Sequence, residues 1–325
     1  MEKLRIIIGI LIIALAAAML YLRLAGRPGD ALQLRQNSGF SRDMTIIAHR
    51  GASHLAPEET IPAYLLARDM GADYLEIDVQ RTRDGDLIGL HDDSLERTTN
   101  AATVFPGREK EPASSFTTED LLSLDAGSWF NRTYPNRARE TYKDLRIIRF
   151  SEFLEIAAEG EAKPGIYIET KSPARHPGIE EEIVEALDET GWFKRKVKVG
   201  PAVIFQSFDL NSLKRFKELA PEVPRVLLIS QTMEKEKGWT PLLEEARPLI
   251  QAIGPVGYLM WPWNTGKAHR MGLIVHAYTL NSGWQMRLAD WFSVDGFFTD
   301  RADQALTKFR QEKIDTGAIL QIHGY

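Results

Sequence analysis

The sequence contains no cysteine, and this absence excludes three kinds of chemistry. Without a thiol the 325-residue chain has no disulfide, no thiolate ligand for zinc and no cysteine nucleophile. Any metal is therefore bound by oxygen or imidazole ligands. The chain also lacks a Lys/Arg-rich block and has a formal net charge of -5. Since nothing neutralises a phosphate backbone over a long stretch, general nucleic-acid binding is excluded, whereas small phosphorylated ligands stay compatible.

An uncharged apolar run, IIIGILIIALAAAMLYL, occupies residues 6–22 near the N-terminus. Its length is close to that of a membrane-spanning helix. The alanines at 16–18 would suit signal-peptide cleavage, but the apolar run continues beyond them. We therefore expect residues 1–22 to form an uncleaved membrane anchor with the catalytic part outside the cytoplasm; a cleaved segment would give a secreted protein. The polar stretch 23–43 predicts a linker.

Beyond residue 44, short apolar runs alternate with longer amphipathic stretches. Strands are predicted at 45–48, 74–79, 87–90, 165–169, 202–205, 225–229, 256–259, 273–277 and 296–299. Helical patterns separate most of them, for example at 61–70, 179–190 and 209–219. Eight core strands and one extension strand predict an α/β fold of the (β/α)8 TIM barrel type, with an open doubly wound sheet as the alternative.

The predicted barrel domain covers residues 44–312 and carries one long insertion, residues 100–149, after the second strand. A pattern typical of a capping box, Thr117 to Asp120, predicts a helix start inside this insertion. Residues 313–325 are expected to form a C-terminal tail.

Ionisable residues collect at the carboxyl ends of four predicted strands. Glu76 and Asp78 are two residues apart in YLEIDV, so their side chains share one face of the strand. Glu169 and Lys171 repeat the arrangement in GIYIETK. In a barrel these strand ends form the active site. Glu76, Asp78 and Glu169 would make a hard oxygen site that suits Ca²⁺ or Mg²⁺ better than zinc.

The basic residues at the same strand ends complete a charge balance. His49 and Arg50 follow the first strand, and His91 follows DLIGL. A divalent cation leaves three carboxylates one negative charge in excess, and Arg50 and Lys171 would balance that charge together with one bound phosphodiester. His49 and His91 are the candidates for proton transfer, because histidine exchanges protons near neutral pH. The set therefore predicts metal-assisted hydrolysis of a phosphodiester.

These residues also carry a family resemblance. The stretch AHRGASHLAPEETIPAYLLARDMGADYLEIDVQRTRDGDLIGLHDDSLERTT resembles the N-terminal signature of the glycerophosphodiester phosphodiesterase family. LDAGSWF, YIETKSPARHPGIEEEIVEAL, IFQSFD, GLIVHAYTLN and VDGFFTD resemble its later landmarks in order, from about residue 45 to 303, and the likeness is strongest to secreted Gram-positive members. The resemblance implies a barrel enzyme that cleaves glycerophosphodiesters to glycerol 3-phosphate and an alcohol.

Position by position, the resemblance also implies roles. Glu76, Asp78 and Glu169 match the metal ligands, His49 and His91 the acid/base pair, and Arg50 and Lys171 the phosphate-binding cations. The sequence departs from the family at Glu59, where the family usually has Asn or His; this carboxylate would bind the metal, contact a substrate hydroxyl or point away.

Aromatic residues from two segments are expected to complete the substrate site. Tyr278, in place of a usual tryptophan, keeps an aromatic ring near the mouth. Trp261 and Trp263 in LMWPWN are expected to line the alcohol-binding end, with a packed loop as the alternative.

The substrate itself stays open at this point. Besides a small glycerophosphodiester, a lysophospholipase D acting on membrane lysolipids and an enzyme trimming glycerol-phosphate wall polymers fit the same residues, and so, more remotely, does a non-catalytic glycerophosphodiester-binding protein. The residues do not distinguish water from the neighbouring glycerol hydroxyl as the first nucleophile.

Overall fold

The structure, a computed structural model, describes residues 2–26, 34, 39, 44–311 and 313–325. Most of the predicted linker, namely 27–33, 35–38 and 40–43, lies outside the described residues, as does residue 312. The strands are β1 (Thr45–Ala48), β2 (Tyr74–Arg81), β3 (Leu87–Gly89), β4 (Gly165–Thr170), β5 (Val203–Ser207), β6 (Arg225–Ile229), β7 (Ala252–Pro255), β8 (Ile274–Ala277) and β9 (Gly296–Thr299).

The strands form a closed parallel barrel with one antiparallel extension. The sheet order is β1-β9-β8-β7-β6-β5-β4-β2-β3, and the additional pairing of β1 with β2 closes the barrel around eight strands. β3 pairs with β2 in the antiparallel sense and lies outside the closed set. The predicted (β/α)8 barrel with one extension strand is therefore confirmed, and the open sheet is excluded.

Each barrel strand contributes one side chain to a packed interior cluster. This cluster consists of Ile47, Tyr74, Tyr167, Ile204, Val226, Ala252, Ile274 and Phe298, all almost completely buried. The alternate residues of the same strands face the surrounding helices in a second, larger core. Strands buried on both faces are typical of barrels of this kind. The interior is therefore filled, and ligands have access only from the strand ends.

Helices surround the barrel and occupy both termini. They are α1 (Glu2–Ala25), α2 (Ile61–Asp69), α3 (Ala101–Val104), α4 (Thr118–Leu122), α5 (Ser128–Thr133), α6 (Phe150–Ala158), α7 (Ile179–Glu189), α8 (Leu210–Leu219), α9 (Gln231–Lys237), α10 (Trp239–Ala246), α11 (Pro262–Arg270), α12 (Gly283–Trp291), α13 (Ala302–Arg310) and α14 (Thr316–Ile322). Side-chain caps mark several starts: Asp209 caps α8 and Ser230 caps α9.

The position of β7 differs from the prediction. The predicted strand 256–259 is wrong: β7 ends at Pro255, and Gly257–Leu259 form a 3₁₀ turn. Pairing with β6, which aligns Leu227 with Ile253 and Ile229 with Pro255, fixes the register. The sequence AIGP has a weak strand pattern because Gly and Pro are poor strand residues, so the pattern alone favours the more apolar stretch after it.

The insertion 100–149 follows β3 along the chain and packs with β3 in a small hydrophobic cluster, which includes Ile88, Phe116, Leu121 and Ile147. Its capping box is present as predicted: Thr117 accepts from the backbone N–H of Asp120, and the Asp120 carboxylate accepts from that of Thr117.

A helix near each end of the chain contacts a helix of the barrel. α1 reaches Ala25, three residues past the predicted anchor, and its stretch Arg5–Ala25 has a mean hydropathy of 2.5 with none of it buried. At the other end, the predicted tail contains α14, which packs on α2, and the His323 ring contacts the Asp69 carboxylate at 2.6 Å.

Candidate active site

The three carboxylates predicted as metal ligands meet at the carboxyl ends of β2 and β4. Asp78 lies directly opposite Glu169 in the parallel pairing of the two strands. Glu76, one pleat earlier, faces the same side of β2. Each of the three offers a ligand oxygen, and these oxygens lie within 4.8 Å of one another. All three side chains are buried, so the strand geometry brings together a compact acidic centre.

Two cations face these carboxylates. The Arg50 Nε lies 3.2 Å from Asp78 Oδ2, and the Lys171 Nζ lies 2.7 Å from Glu169 Oε1 and 3.6 Å from Asp78 Oδ1. The backbone N–H of Arg50 also donates to Glu76 at 2.7 Å. Arg50 has a positive φ of 56°, so the chain turns sharply there and aims both its backbone N–H and its side chain at the acidic centre.

The electrostatics of the centre favour a bound cation. Burial raises the pKa of Glu76 well above its usual range and that of Glu169 to about 7. Asp78 is also buried, but the charges of Lys171 and Arg50 outweigh burial and lower its pKa. Neither carboxylate oxygen of Asp78 receives a hydrogen bond from the described residues. Three hard oxygen ligands, of which Asp78 has no hydrogen-bond donor among the described residues, fit Ca²⁺ or Mg²⁺.

His49 is oriented by a carboxylate from the last barrel strand. Its Nδ1 lies 2.7 Å from Asp300 Oδ1, directly after β9. Asn281 holds Asp300 in turn, since its Nδ2 donates to Asp300 Oδ2 at 2.6 Å and its Oδ1 accepts from the Asp300 backbone N–H. Despite burial, the hydrogen bond from His49 lowers the pKa of Asp300 to about 2, so Asp300 is an ionised acceptor. The proton therefore sits on Nδ1 of His49, and Nε2 is the basic nitrogen.

The environment keeps His49 neutral. Burial first, and then the charge of Arg50, lower the pKa of His49 below 6.5, although Asp300 acts in the opposite direction. A neutral imidazole with a fixed tautomer is the form that accepts a proton.

A carboxylate also contacts His91, and a series of ion pairs connects this carboxylate to Arg50. The His91 Nδ1 lies 2.7 Å from Asp92 Oδ1. The Arg97 guanidinium donates to Asp92 and, through two nitrogens at 2.7 and 2.9 Å, to Glu58. Glu58 accepts from Arg50 at 2.9 Å. A continuous chain of alternating charges therefore connects the second histidine to the cation beside Asp78.

A cavity of about 160 Å³ opens between these groups. Its lining consists of His49, Arg50, Glu76, His91, Glu169, Lys171, Gln206, Phe208, Leu228, Tyr278, Thr279 and Phe298. The structure thus brings seven of the nine predicted site residues to one cavity, and Asp78 lies buried beside them. Trp261 is not among the lining residues; its ring is 45% exposed and stacks on Trp263.

A wider groove of about 710 Å³ adjoins this cavity and shares Glu169, Lys171 and Phe208 with it. Apolar side chains, including Leu210 and Met233, line its outer part. The cavity therefore continues into a space that can accept a larger group.

Glu59 points away from the cavity. Its carboxylate accepts from the Tyr64 hydroxyl at 2.6 Å and from the backbone N–H of Asp78 at 3.1 Å, behind β2. Burial, and then the charge of Asp78, raise the pKa of Glu59 well above its usual value. Of the three possibilities left by the sequence, the structure therefore supports the one in which Glu59 contacts neither metal nor substrate.

Sequence reasoning did not single out Asp300, Asn281, Asp92, Arg97 or Glu58. Asp300 carried a signal, because it follows the last strand as His49 follows the first. Asp92 is adjacent to His91 in the sequence. For Arg97 and Asn281 only the folded loops show the contact.

Comparison with known proteins identifies the family. The model of the glycerophosphoryl diester phosphodiesterase family matches residues 49–304. A glycerophosphodiester phosphodiesterase of Bacillus subtilis (strain 168) is 38% identical over 258 residues, which cover 79% of this chain and 83% of that protein.

Solved structures agree with this match. An Oleispira antarctica phosphodiesterase in complex with the product sn-glycerol-3-phosphate is 26% identical with a TM-score of 0.63, covering 82% of this chain and 97% of that one. A glycerophosphodiester phosphodiesterase from Agrobacterium tumefaciens is also 26% identical, with a TM-score of 0.61, over 81% of this chain and 98% of that one. This chain therefore belongs to the glycerophosphoryl diester phosphodiesterase family and is an enzyme with that activity.

Proposed function

We propose that this phosphodiesterase cleaves glycerophosphodiesters to glycerol 3-phosphate and an alcohol by a metal-dependent mechanism, with His49 and His91 as the acid/base pair. One observation carries the proposal: a buried carboxylate triad, two cations and two carboxylate-held histidines face a single cavity. The glycerol 3-phosphate bound as product in the Oleispira phosphodiesterase supports the same product here.

Glu76, Asp78 and Glu169 would hold one divalent cation, Ca²⁺ or Mg²⁺. A cation held there would supply Lewis-acid polarisation of the phosphate. Arg50 and Lys171 then bind the remaining phosphate charge. The charges of three carboxylates, two side-chain cations, one divalent ion and one phosphodiester add up to zero. The complete set can therefore be buried without a net charge.

The two histidines divide the proton transfers. His49, neutral and with its proton fixed on Nδ1, accepts the proton of the attacking hydroxyl at Nε2. His91, held by Asp92, donates a proton to the leaving alkoxide. Both histidines are needed because hydrolysis requires a base for the nucleophile and an acid for the leaving oxygen.

The test is release of glycerol 3-phosphate from glycerophosphocholine by the full chain with Ca²⁺, with Mg²⁺ and with EDTA. We expect metal-dependent release that falls by about 10² to 10⁴ in His49→Ala and His91→Ala, the usual contribution of general acid–base groups. Glu76→Gln should lose metal dependence and activity together. Full activity in EDTA, or in Glu76→Gln, would contradict the metal role.

A lysolipid substrate is the second candidate, because a groove with apolar side chains among its lining adjoins the cavity at Phe208, and α1 is apolar enough to be a membrane anchor. This candidate predicts faster turnover of lysophosphatidylcholine than of glycerophosphocholine. It further predicts that Met233→Glu in the groove lowers only lysolipid turnover, whereas Val104→Glu in the insertion lowers neither.

α1 also supports a proposal on location: a single-pass membrane anchor with the barrel outside the cytoplasm. The helix contains 24 residues, and the barrel buries none of its apolar window. A solvent-exposed helix of this composition is stable in a bilayer rather than in water.

A further inference from the structure

The seven tryptophans are distributed very unevenly over the molecule. Trp129, Trp192 and Trp239 are buried, each with at most 9% of its surface exposed. The other four are between 40% and 59% exposed, and all of them lie within residues 261–291: Trp261, Trp263, Trp284 and Trp291. Large exposed apolar side chains that cluster in this way mark an interaction surface. We call these four residues the tryptophan surface.

The helices that carry the tryptophan surface present its members together. Trp261 and Trp263 stack with their ring centroids 5.2 Å apart and their planes 3° from parallel. Trp284 and Trp291 are seven residues apart, so they share one face of α12. The Trp261 ring also lies 5.5 Å from that of Phe292, the residue directly after Trp291, so the first pair lies beside the C-terminal end of α12.

The C-terminal end of α1 is fixed beside this surface. A Cβ at Gly266 of α11 would overlap the carbonyl oxygen of Ala25, so glycine is required where the two helices meet. A Cβ at Gly26 would likewise overlap the carbonyl oxygen of Phe292. The buried His269 ring lies 2.9 Å from the Gly26 carbonyl and 2.7 Å from Asp295. The helix therefore ends in a defined contact with α11 and with the turn after α12.

The charge of the same segment differs from that of the whole chain. Residues 258–291 contain three basic residues, Lys267, Arg270 and Arg287, and one acid, Asp290, although the chain has a net charge of -5. Exposed tryptophans with neighbouring basic residues suit the headgroup region of an anionic bilayer, where indole rings concentrate.

We propose that the tryptophan surface binds the headgroup region of the membrane that α1 spans, as a second attachment next to the anchor. The occupant is the lipid surface because the anchor ends on the same two helices, so the bilayer is the partner that this contact brings within reach. The inference rests on the proposed anchor and is independent of the proposed chemistry. It gives the barrel one fixed side toward the membrane.

The absence of native cysteine allows a direct test with the full chain. Trp263→Cys, Leu11→Cys in α1 and Val104→Cys in the insertion are each labelled with an environment-sensitive fluorophore and reconstituted into vesicles of phosphatidylcholine and phosphatidylglycerol. All three replaced side chains are exposed, at 54%, 63% and 40%. We expect the label at 263 to be quenched by lipid-bound nitroxide and protected several-fold from aqueous iodide relative to the label at 104. Trp284→Cys provides a second position if Trp263→Cys does not fold.

The label at 11 reports on the anchor itself. If it is in lipid while the labels at 263 and 284 are as accessible to iodide as the label at 104, the proposal is overturned and the anchor stands. If it is in water, the anchor and the proposal fail together. Labels at 263 and 284 shielded from both quenchers would indicate a second protein copy and would also overturn it. Release of glycerol 3-phosphate by the same variants reports separately on the chemistry.

Discussion

At the scale of single residues, the two histidines of the cavity are held in the same way by different parts of the chain. Asp300 and Asp92 each contact an Nδ1 atom, so in both rings Nε2 is the nitrogen that remains for chemistry. A carboxylate at this position fixes the tautomer and stabilises the ring once it is protonated. Asp300 is therefore a positioning residue for His49.

Removing this carboxylate gives a prediction about pH. Because Asp300 raises the pKa of His49, Asp300→Asn should lower that pKa further and move the acidic limb of the kcat/KM profile to lower pH. The value of kcat should fall by about 10² or more, since the amide does not fix the tautomer. The measurement is kcat/KM for glycerophosphocholine from about pH 4 to about pH 9, a range that spans the ordinary histidine pKa of about 6.5.

Asp303→Asn is the matched control, because Asp303 pairs with Arg301 and does not line the cavity. An Asp300→Asn profile that coincides with that of Asp303→Asn would show that the carboxylate does not act through His49.

The sequence was informative about residues whose roles follow from local spacing. Glu76 and Asp78 alternate within one strand, so a shared face could be predicted without the fold. Glu59 could not be interpreted, because its partners Tyr64 and Asp78 come from two different elements. Its direction depends on how α2 packs on β2.

At the scale of elements, two loops are joined by one guanidinium. Arg97, beyond β3, contacts Asp92 of its own loop and Glu58 of the loop after β1. Glu58 contacts Arg50, and the Trp129 ring of the insertion lies 5.8 Å from the Arg97 guanidinium. The insertion therefore supports the wall of the cavity that carries His91.

Arg97→Ala should lower kcat by about tenfold to a hundredfold, because small displacements of catalytic groups are costly. Stability should fall only modestly, since Arg97 itself is 43% exposed and Glu58, which is 12% exposed, keeps its ion pair with Arg50. The measurements are kcat and the urea midpoint of unfolding. Arg108→Ala is the control: Arg108 also pairs with a carboxylate and packs on an aromatic ring, but within the insertion. Equal kcat values for the two variants would exclude a positioning role for Arg97.

The actual position of β7 explains why the surroundings of Trp261 could not be predicted from the sequence. The predicted strand end at 259 placed Trp261 two residues from the mouth. The actual end at Pro255 leaves a turn between the strand and α11, and this turn carries the indole ring to the outer surface. A four-residue shift in one weak strand therefore changed the expected surroundings of an aromatic residue.

At the scale of the whole molecule, the acidic centre links metal binding to stability. Burial and the neighbouring carboxylates disfavour the charge of Glu76, and Arg50 and Lys171 offset this repulsion only in part, so a bound divalent cation should stabilise the folded state. We expect Ca²⁺ or Mg²⁺ to raise Tm, with about 2.7 kcal/mol of stabilisation when the ion is at about a hundred times its Kd.

This stabilisation should depend on pH. Burial raises the pKa of Glu169 to about 7, and a protonated carboxyl does not bind the ion. The rise in Tm should therefore be larger at a pH about one unit above this pKa than at one about one unit below it. Calorimetry with and without the ion measures this, and Glu111→Gln, on the exposed side of the insertion, serves as the control. An equal rise in Asp78→Asn would argue that the ion binds elsewhere.

The barrel as a whole could be predicted, because a chain in which strands and helices alternate can adopt only a few architectures. The contacts of the chain ends were not. The docking of α1 on α11 and of α14 on α2 depends on residues more than two hundred positions apart, for which no local pattern exists.

The pairing of β1 with β9 has a consequence for biosynthesis. Thr45 is aligned with Gly296, so the first strand of the barrel acquires one of its two neighbours only when almost the whole chain has left the ribosome. His269, the contact of Gly26 on α11, also follows Gly26 by 243 residues. At typical synthesis rates of about 5–20 residues per second, the N-terminal helix exists for roughly 10 to 50 seconds before that residue has been made. Under the proposed anchoring, α1 would therefore be available for membrane insertion before the barrel beside it can fold.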